Sequence, residues 1–299
     1  MNKTVLGYVF GFLSTFFWAL NSVIPKIVND TVSPFLLNTL RWSLAFLLLL
    51  PFSLKFFKKD NLLILKKHFI FFSIIGFTGI TTVNSFFYIA GETSQAINLS
   101  LIAITSSIFT VLIAVLFLKR KIYLKEFVGI ILAIVGVVYL ISNGSIKNIL
   151  DLDFNKGDIL ALIGSLFFAI YSVYIKKIPK NISNHLFLFY TILMGLVYLI
   201  PCVVYEYFSG TWVFKPNEKD IISIVYSAVF SSLIGYYLWN RAVIYIGIVK
   251  TSSIYYLTPV IGILAAVVLV NEKLHFYDII SMLLIIFGVY LTSIQKEET

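Results

Sequence analysis

The chain alternates between apolar runs of about twenty residues and short polar links that carry most of its charge. Ten such runs lie near residues 5–28, 35–54, 69–90, 95–118, 124–142, 158–175, 184–205, 221–241, 248–270 and 276–294. A hydrocarbon core about 30 Å thick is crossed by about 20 residues of helix, and a backbone in lipid must satisfy its own hydrogen bonds. Each run therefore predicts a membrane-spanning helix. The expected fold class is an all-α integral membrane protein with ten transmembrane helices. The first run sits where a signal peptide would, but it exceeds the about 7–15 apolar residues of such a segment and ends on no small-residue cleavage site. It is read as a retained span.

Composition agrees: 60% of the residues are apolar and 12% charged, against about 45–50% and about 25% in soluble domains. A single cysteine, Cys202, excludes an intramolecular disulfide and a thiolate metal cluster. The formal charge of +9 would suit nucleic acid if it lined one face, but the basic residues fall in the links, which suits a membrane surface instead. With the N-terminus placed in the cytoplasm, sixteen Lys and Arg fall in inner segments and six in outer ones. That bias predicts a multi-pass protein of the cell (plasma or inner) membrane with both termini cytoplasmic.

An internal repeat underlies the runs. A shift of 150 residues lays Ser14–Lys26 (STFFWALNSVIPK) over Gly164–Lys176 (GSLFFAIYSVYIK), so that Phe17, Ala19, Ser22, Val23 and Lys26 recur. A shift of 152 brings Ala90 to Ala242, Lys121 to Lys273 and Gly136-Val137 to Gly288-Val289. Residues 1–142 and 157–296 form two five-helix repeats, joined by an extracytoplasmic linker at 143–156. Because five is odd, the second repeat crosses the membrane in the opposite sense to the first, which is the arrangement alternating access requires.

At this point the sequence resembles the EamA-type members of the drug/metabolite transporter superfamily. The resemblance covers nearly the whole chain and rests on FFWALNSVIPK in the first span, LRWSLAF around Arg41 in the second, and YYLWNRAVIYIGIVKTSSIYYLTPVIGILAAVVLVNEKL from Tyr236 to Leu274. It implies ten helices, an inverted repeat and export or exchange of small organic metabolites such as amino acids. The first half departs from the pattern, with Ser107 and Arg120 where the family commonly has Pro and Glu, opposite Pro259 and Glu272.

Polar side chains are costly in a bilayer and turn toward partner helices or a wet cavity. Several spans carry them at helical spacing, on one face each. Substrate-binding candidates are Trp18 and Asn21 in the first span, Asn84 and Tyr88 in the third, Asn98 in the fourth, Tyr171 in the sixth, Trp239 in the eighth and Tyr256 in the ninth. Amide, hydroxyl and aromatic groups of this kind suit an uncharged or zwitterionic solute, and they also suit helix-packing hydrogen bonds. Bringing these spans together is an expectation carried from the resemblance. Arg41 is the one basic residue well inside a span, where it holds a substrate carboxylate, snorkels, or pairs with carbonyls. Pro25 and Pro259 interrupt the first and ninth spans and are gating or hinge candidates, while Gly76, Gly79, Gly129 and Gly136 permit close helix packing.

The partners implied are a small-molecule substrate and the lipid bilayer, with no nucleic acid, no cofactor and no metal. An intramembrane enzyme would need a nucleophile with a base, or a ligand cluster, inside the bundle. His68, His185 and His275 all fall in links or at span ends, and no HExxH occurs. A binding or assembly protein without transport is the alternative from another class. The topology is open to test in a Cys202→Ala background: Ser145→Cys should be labelled by an impermeant maleimide from outside the cell and Lys59→Cys should not. The reverse pattern contradicts the orientation.

Overall fold

The computed structural model describes residues 2–21, 24, 28, 30–53, 59–94, 96–119, 121–150, 155–179, 182–270 and 274–294. Ser22, Pro25, Lys26, Gln95, Arg120 and Glu272 lie outside them, as does the side chain of Asn98. The described chain is helical. Its main helices are α1 (Lys3–Asn21), α2 (Pro34–Ser53), α3 (Phe69–Thr93), α4 (Ala96–Leu118), α5 (Leu124–Ile141), α6 (Lys156–Lys177), α7 (Asn184–Phe208), α8 (Glu218–Ile246), α9 (248–270) and α10 (Phe276–Ser293). Seven of them, α1, α2, α3, α6, α7, α8 and α10, are long and apolar enough to cross a bilayer, and Ile102–Leu118 in α4 and Ile248–Leu264 in α9 are shorter apolar stretches. Two short helices, Lys59–Lys67 and Ile146–Leu150, lie in links.

The surface fits lipid. Ile70, Phe117 and Leu283 are 74%, 73% and 63% exposed, and so large a continuous apolar exterior would aggregate in water. Carboxylates sit where helices begin. Glu126, Asp158, Asp220 and Asp278 are buried at the third residue of α5, α6, α8 and α10, and each accepts from the backbone N–H just before its helix, that of Tyr123, Asn155, Asn217 or His275, at 2.7–3.2 Å. These caps satisfy donors that a helix start leaves unpaired and place negative charge at the positive end of the helix dipole. A fifth carboxylate acts between helices: Glu206 in α7 is buried and accepts from Ser33 Oγ at 2.7 Å and from the Phe35 and Leu36 backbone N–H groups at 3.0 Å. The start of α2 is thereby tied to the end of α7.

Helix pairing follows the repeat. α1 packs on α8 and α9, α6 on α3 and α4, α2 on α7, α4 on α9 and α5 on α10. Exchanging α1–α5 with α6–α10 turns the first two pairings into the next two and leaves the last three unchanged. The halves are thus interleaved, with α1 and α6 each packed into the opposite half. Where α5 meets α10, backbones approach closely: a Cβ on Gly288 would stand 2.5 Å from the Gly129 carbonyl oxygen and 2.7 Å from Ala133 N. Gly76 lies in the same way against the Gly195 backbone, so these glycines serve packing.

Three spans depart from a plain α-helix. α3 and α8 carry π-helical segments at Phe77–Thr82 and Ser227–Gly235, which overlap under the 152-residue shift. α9 is broken by a 3-10 turn at Tyr255–Leu257 just before Pro259. Proline lacks the N–H that would reach the Tyr255 carbonyl, and the Thr258 hydroxyl donates to that oxygen instead at 2.7 Å.

Gly288→Ala should lower the stability of the detergent-purified protein by about 1–3 kcal/mol through overpacking, read as a fall in the thermal denaturation midpoint. Gly262→Ala, where an added methyl meets open space among the described residues, should hold the stability or raise it by up to about 1 kcal/mol, since alanine is the better helix former.

Candidate functional site

Aromatic rings from both halves meet where α1, α6 and α8 cross. The i, i+3 spacing of Phe168 and Tyr171 in α6 and of Tyr236 and Trp239 in α8 points each pair to one side of its helix. Between them stands Trp18 of α1, with ring centroids 5.0 Å from Trp239 and 5.4 Å from Phe168 and Tyr236. Tyr255 of α9 closes the group at 6.1 Å from Trp18 and from Phe168. Trp42 of α2 lies edge-on to Tyr236 at 5.0 Å. Gly235 makes room for Trp18, since a Cβ there would lie 2.8 Å from the indole nitrogen.

The polar edges of these rings are tied to the two π segments. Trp18 Nε1 donates to the Ser231 carbonyl at 2.9 Å, and Tyr236 OH donates to the Gly79 carbonyl at 2.6 Å. Trp239 Nε1 reaches Ser172 Oγ at 3.2 Å, and Tyr171 OH donates to Asn240 Oδ1 at 2.7 Å. Asn240 Nδ2, Trp42 Nε1 and Tyr256 OH are buried with no hydrogen-bond partner among the described residues. π-Helical turns recur at functional sites because they widen the helix and re-aim side chains. Here the two equivalent turns supply carbonyl and hydroxyl acceptors from opposite halves.

Arg41 adds the site's charge. It is 1% exposed; Nε donates to Ser232 Oγ at 2.9 Å, and Nη1 to Asn84 Oδ1 at 3.1 Å and Tyr88 OH at 2.5 Å. Asn84 also reaches the Tyr236 hydroxyl at 3.4 Å, which links the guanidinium to the aromatic group. On the far side of Tyr88 lies a buried cluster of Ile24, Val28, Val32, Leu36 and Leu37. It is sealed by an isolated antiparallel bridge between Val32 and Phe214, with Ser33 N donating to Val213 O and Lys215 N to Thr31 O.

Of the residues expected from the sequence, Trp18, Asn84, Tyr88, Tyr171, Trp239 and Arg41 come together in this constellation. Asn21 stands beside it, accepting from Ser227 Oγ at 2.9 Å. Tyr256 is fully buried, but the ring that joins the aromatic group is its neighbour Tyr255. Pro259 lies at the break in α9. Phe168 and Trp42 read as ordinary apolar positions in the sequence, whereas Tyr236 and Tyr255 belong to the polar stripes of their spans and join the site beside the candidates Trp239 and Tyr256. Tyr236 is opposite Asn84 under the 152-residue shift, so the repeat itself carried a signal for it.

The EamA-like transporter family model matches residues 5–142 and again 155–294. An uncharacterized transporter of Archaeoglobus fulgidus is 24% identical over 96% of both chains. The uncharacterized transporter YyaM of Bacillus subtilis is 29% identical over 77% of this chain and 74% of its own. A probable amino-acid metabolite efflux pump of Escherichia coli is 25% identical over 92% of this chain and 90% of its own. A solved crystal structure superposes with a TM-score of 0.72 over 97% of this chain and 95% of the other at 16% identity, a likeness of fold.

Tyr236→Phe should destabilise the protein by about 0.5–1.5 kcal/mol, because it removes the buried hydrogen bond to the Gly79 carbonyl. Tyr237→Phe, whose hydroxyl makes no hydrogen bond among the described residues, should leave the thermal midpoint nearly unchanged.

Proposed function

The chain belongs to the EamA-like transporter family, and from that premise we propose that it exports or exchanges small organic metabolites, amino acids or related solutes, by alternating access. It is a multi-pass membrane protein of a transporter family, which points to transport rather than catalysis. In this proposal ten helices span the plasma membrane as two inverted repeats, 1–142 and 157–296, with 143–156 as the outer linker and both termini in the cytoplasm. The match of the family model to each half supports the repeat, and the Escherichia coli relative named as a probable amino-acid metabolite efflux pump supports the solute class.

One observation carries the proposal: the aromatic and polar side chains gather on two equivalent π segments, at the seam where the halves interleave. A group held by both halves changes shape when they rock against each other, which couples solute binding to the motion. Trp18, Trp239, Tyr171 and Tyr256 offer ring faces and hydroxyls, while Asn21, Asn84, Asn98, Tyr88 and Arg41 offer polar contacts. Pro25 and Pro259 act as hinges in this scheme, and the Thr258 hydroxyl, bound to the Tyr255 carbonyl, lowers the cost of bending α9 there.

Reconstituted proteoliposomes test the proposal through saturable counterflow of radiolabelled amino acids and their derivatives. Trp239→Ala and Asn98→Leu should each cut the initial rate at least tenfold while the amount of inserted protein holds. Loss of protein in parallel with flux would make these residues packing elements. Absence of saturable flux across the solute panel would favour the binding or assembly alternative.

A further inference from the structure

We propose that Arg41 is an anion subsite, and that the solute recognised by this protein carries a single carboxylate joined to an apolar or aromatic body. The inference rests on the transport reading above and narrows its substrate class. A guanidinium carries its charge into the bundle and has five N–H donors in a fixed fork. Arg41 is 1% exposed, yet it is held only by neutral acceptors: Ser232 Oγ, Asn84 Oδ1 and Tyr88 OH. Among the described residues Nη2 makes no hydrogen bond, and no carboxylate lies within ion-pair distance.

Snorkelling does not account for it. Arg41 lies seven residues into α2, about 10 Å along the helix, and its side chain is roofed by Tyr88 and the sealed cluster rather than reaching past it. The acidic side chains on the neighbouring elements are committed elsewhere. Glu206 caps the start of α2 through three hydrogen bonds, and Glu92 is exposed at the far end of α3. A buried cation with no anion is an incomplete pair, and a bidentate carboxylate matches the guanidinium fork.

The rest of the site fixes what the carboxylate is attached to. From Arg41 the Asn84 amide leads to Tyr236, and from Tyr236 to Trp18, Trp42 and Trp239. A ligand anchored at the guanidinium would therefore lay its body among rings. The repeat supplies no second cation, because Thr191, opposite Arg41 under the 150-residue shift, hydrogen-bonds its own helix at Phe187 O. One guanidinium in the site asks for one carboxylate in the solute. Trp18, Trp42 and Tyr236 select aromatic or branched monocarboxylates over dicarboxylates and over small polar acids.

The test uses the full-length protein, with thermal stabilisation and proteoliposome counterflow measured on matched solutes: phenyllactate, phenylalanine, phenylalaninamide and succinate. Phenyllactate and phenylalanine should stabilise the wild type and drive counterflow, whereas the amide and the dicarboxylate should be at least tenfold weaker. Arg41→Gln should abolish the preference for carboxylate over amide, Arg41→Lys should retain part of it, and Tyr88→Phe should raise the half-saturating concentration while the carboxylate preference stays. Size-exclusion profiles in detergent check that each variant folds. If the amide competes equally with the acid in the wild type, or if Arg41→Gln folds and keeps the carboxylate preference, the subsite is overturned while the transport reading stands. Stabilisation by the acids with no counterflow of any solute would leave the subsite intact and overturn transport.

Discussion

Every polar group taken into the bilayer must find a partner inside the protein, and most of the architecture answers to that demand. Four helix starts are closed by their own carboxylates, and α2 is closed by Glu206 of α7. The break in α9 is tolerable because Thr258 takes up the carbonyl that Pro259 leaves free. The interior indoles and phenols are tied to the carbonyls and hydroxyls of neighbouring helices, among them Gly79 and Ser231 of the π segments. Among the buried polar atoms that find no hydrogen-bond partner within the described residues are Asn240 Nδ2, Trp42 Nε1 and Tyr256 OH. Such groups are costly to keep unless something else satisfies them for part of a working cycle.

The repeat explains both the symmetry of the bundle and its functional asymmetry. Equivalent π segments, equivalent capping carboxylates at Glu126 and Asp278, and equivalent prolines at Pro51 and Pro201 give each half the same mechanical parts. Side chains at the seam differ. Asn84, Tyr88 and Arg41 of one half stand opposite Tyr236, Asn240 and Thr191 of the other. In the proposed cycle the scaffold would exchange two mirrored arrangements, with the solute's polar end toward α2 and α3 and its apolar end toward α1, α6 and α8.

Much of this was legible in the sequence because it depends on run length and spacing. Hydrophobic runs fixed the helices, and the Gly136-Val137 and Gly288-Val289 match exposed the repeat whose close packing the structure bears out. Arg41, Trp18 and Trp239 stood out because large polar or charged groups are hard to place in lipid. What escaped was set by local winding and by tertiary reach. A constant 3.6-residue period favours Tyr256, whereas the 3-10 turn at Tyr255–Leu257 brings Tyr255 to the rings. The π segments carry no composition signal, and Trp42 and Phe168 read as ordinary apolar positions. Glu206 reads as an interfacial residue until α7 is placed beside α2. Pro51 and Pro201 are equivalent under the 150-residue shift, and the fold places both inside unbroken helices.

Interleaved halves that alternate must open one end of the seam as they close the other. Spin labels at Thr31 and Lys215, across the sealed bridge, and at Lys66 and Lys177, at the opposite end of the bundle, report the two openings by pulsed dipolar spectroscopy in a Cys202→Ala background. Two distance populations are predicted at each pair, with the long distance at one pair rising as the long distance at the other falls when substrate is added. Distances that stay single and unchanged at both pairs, in protein shown to transport, would contradict the exchange of mirrored halves.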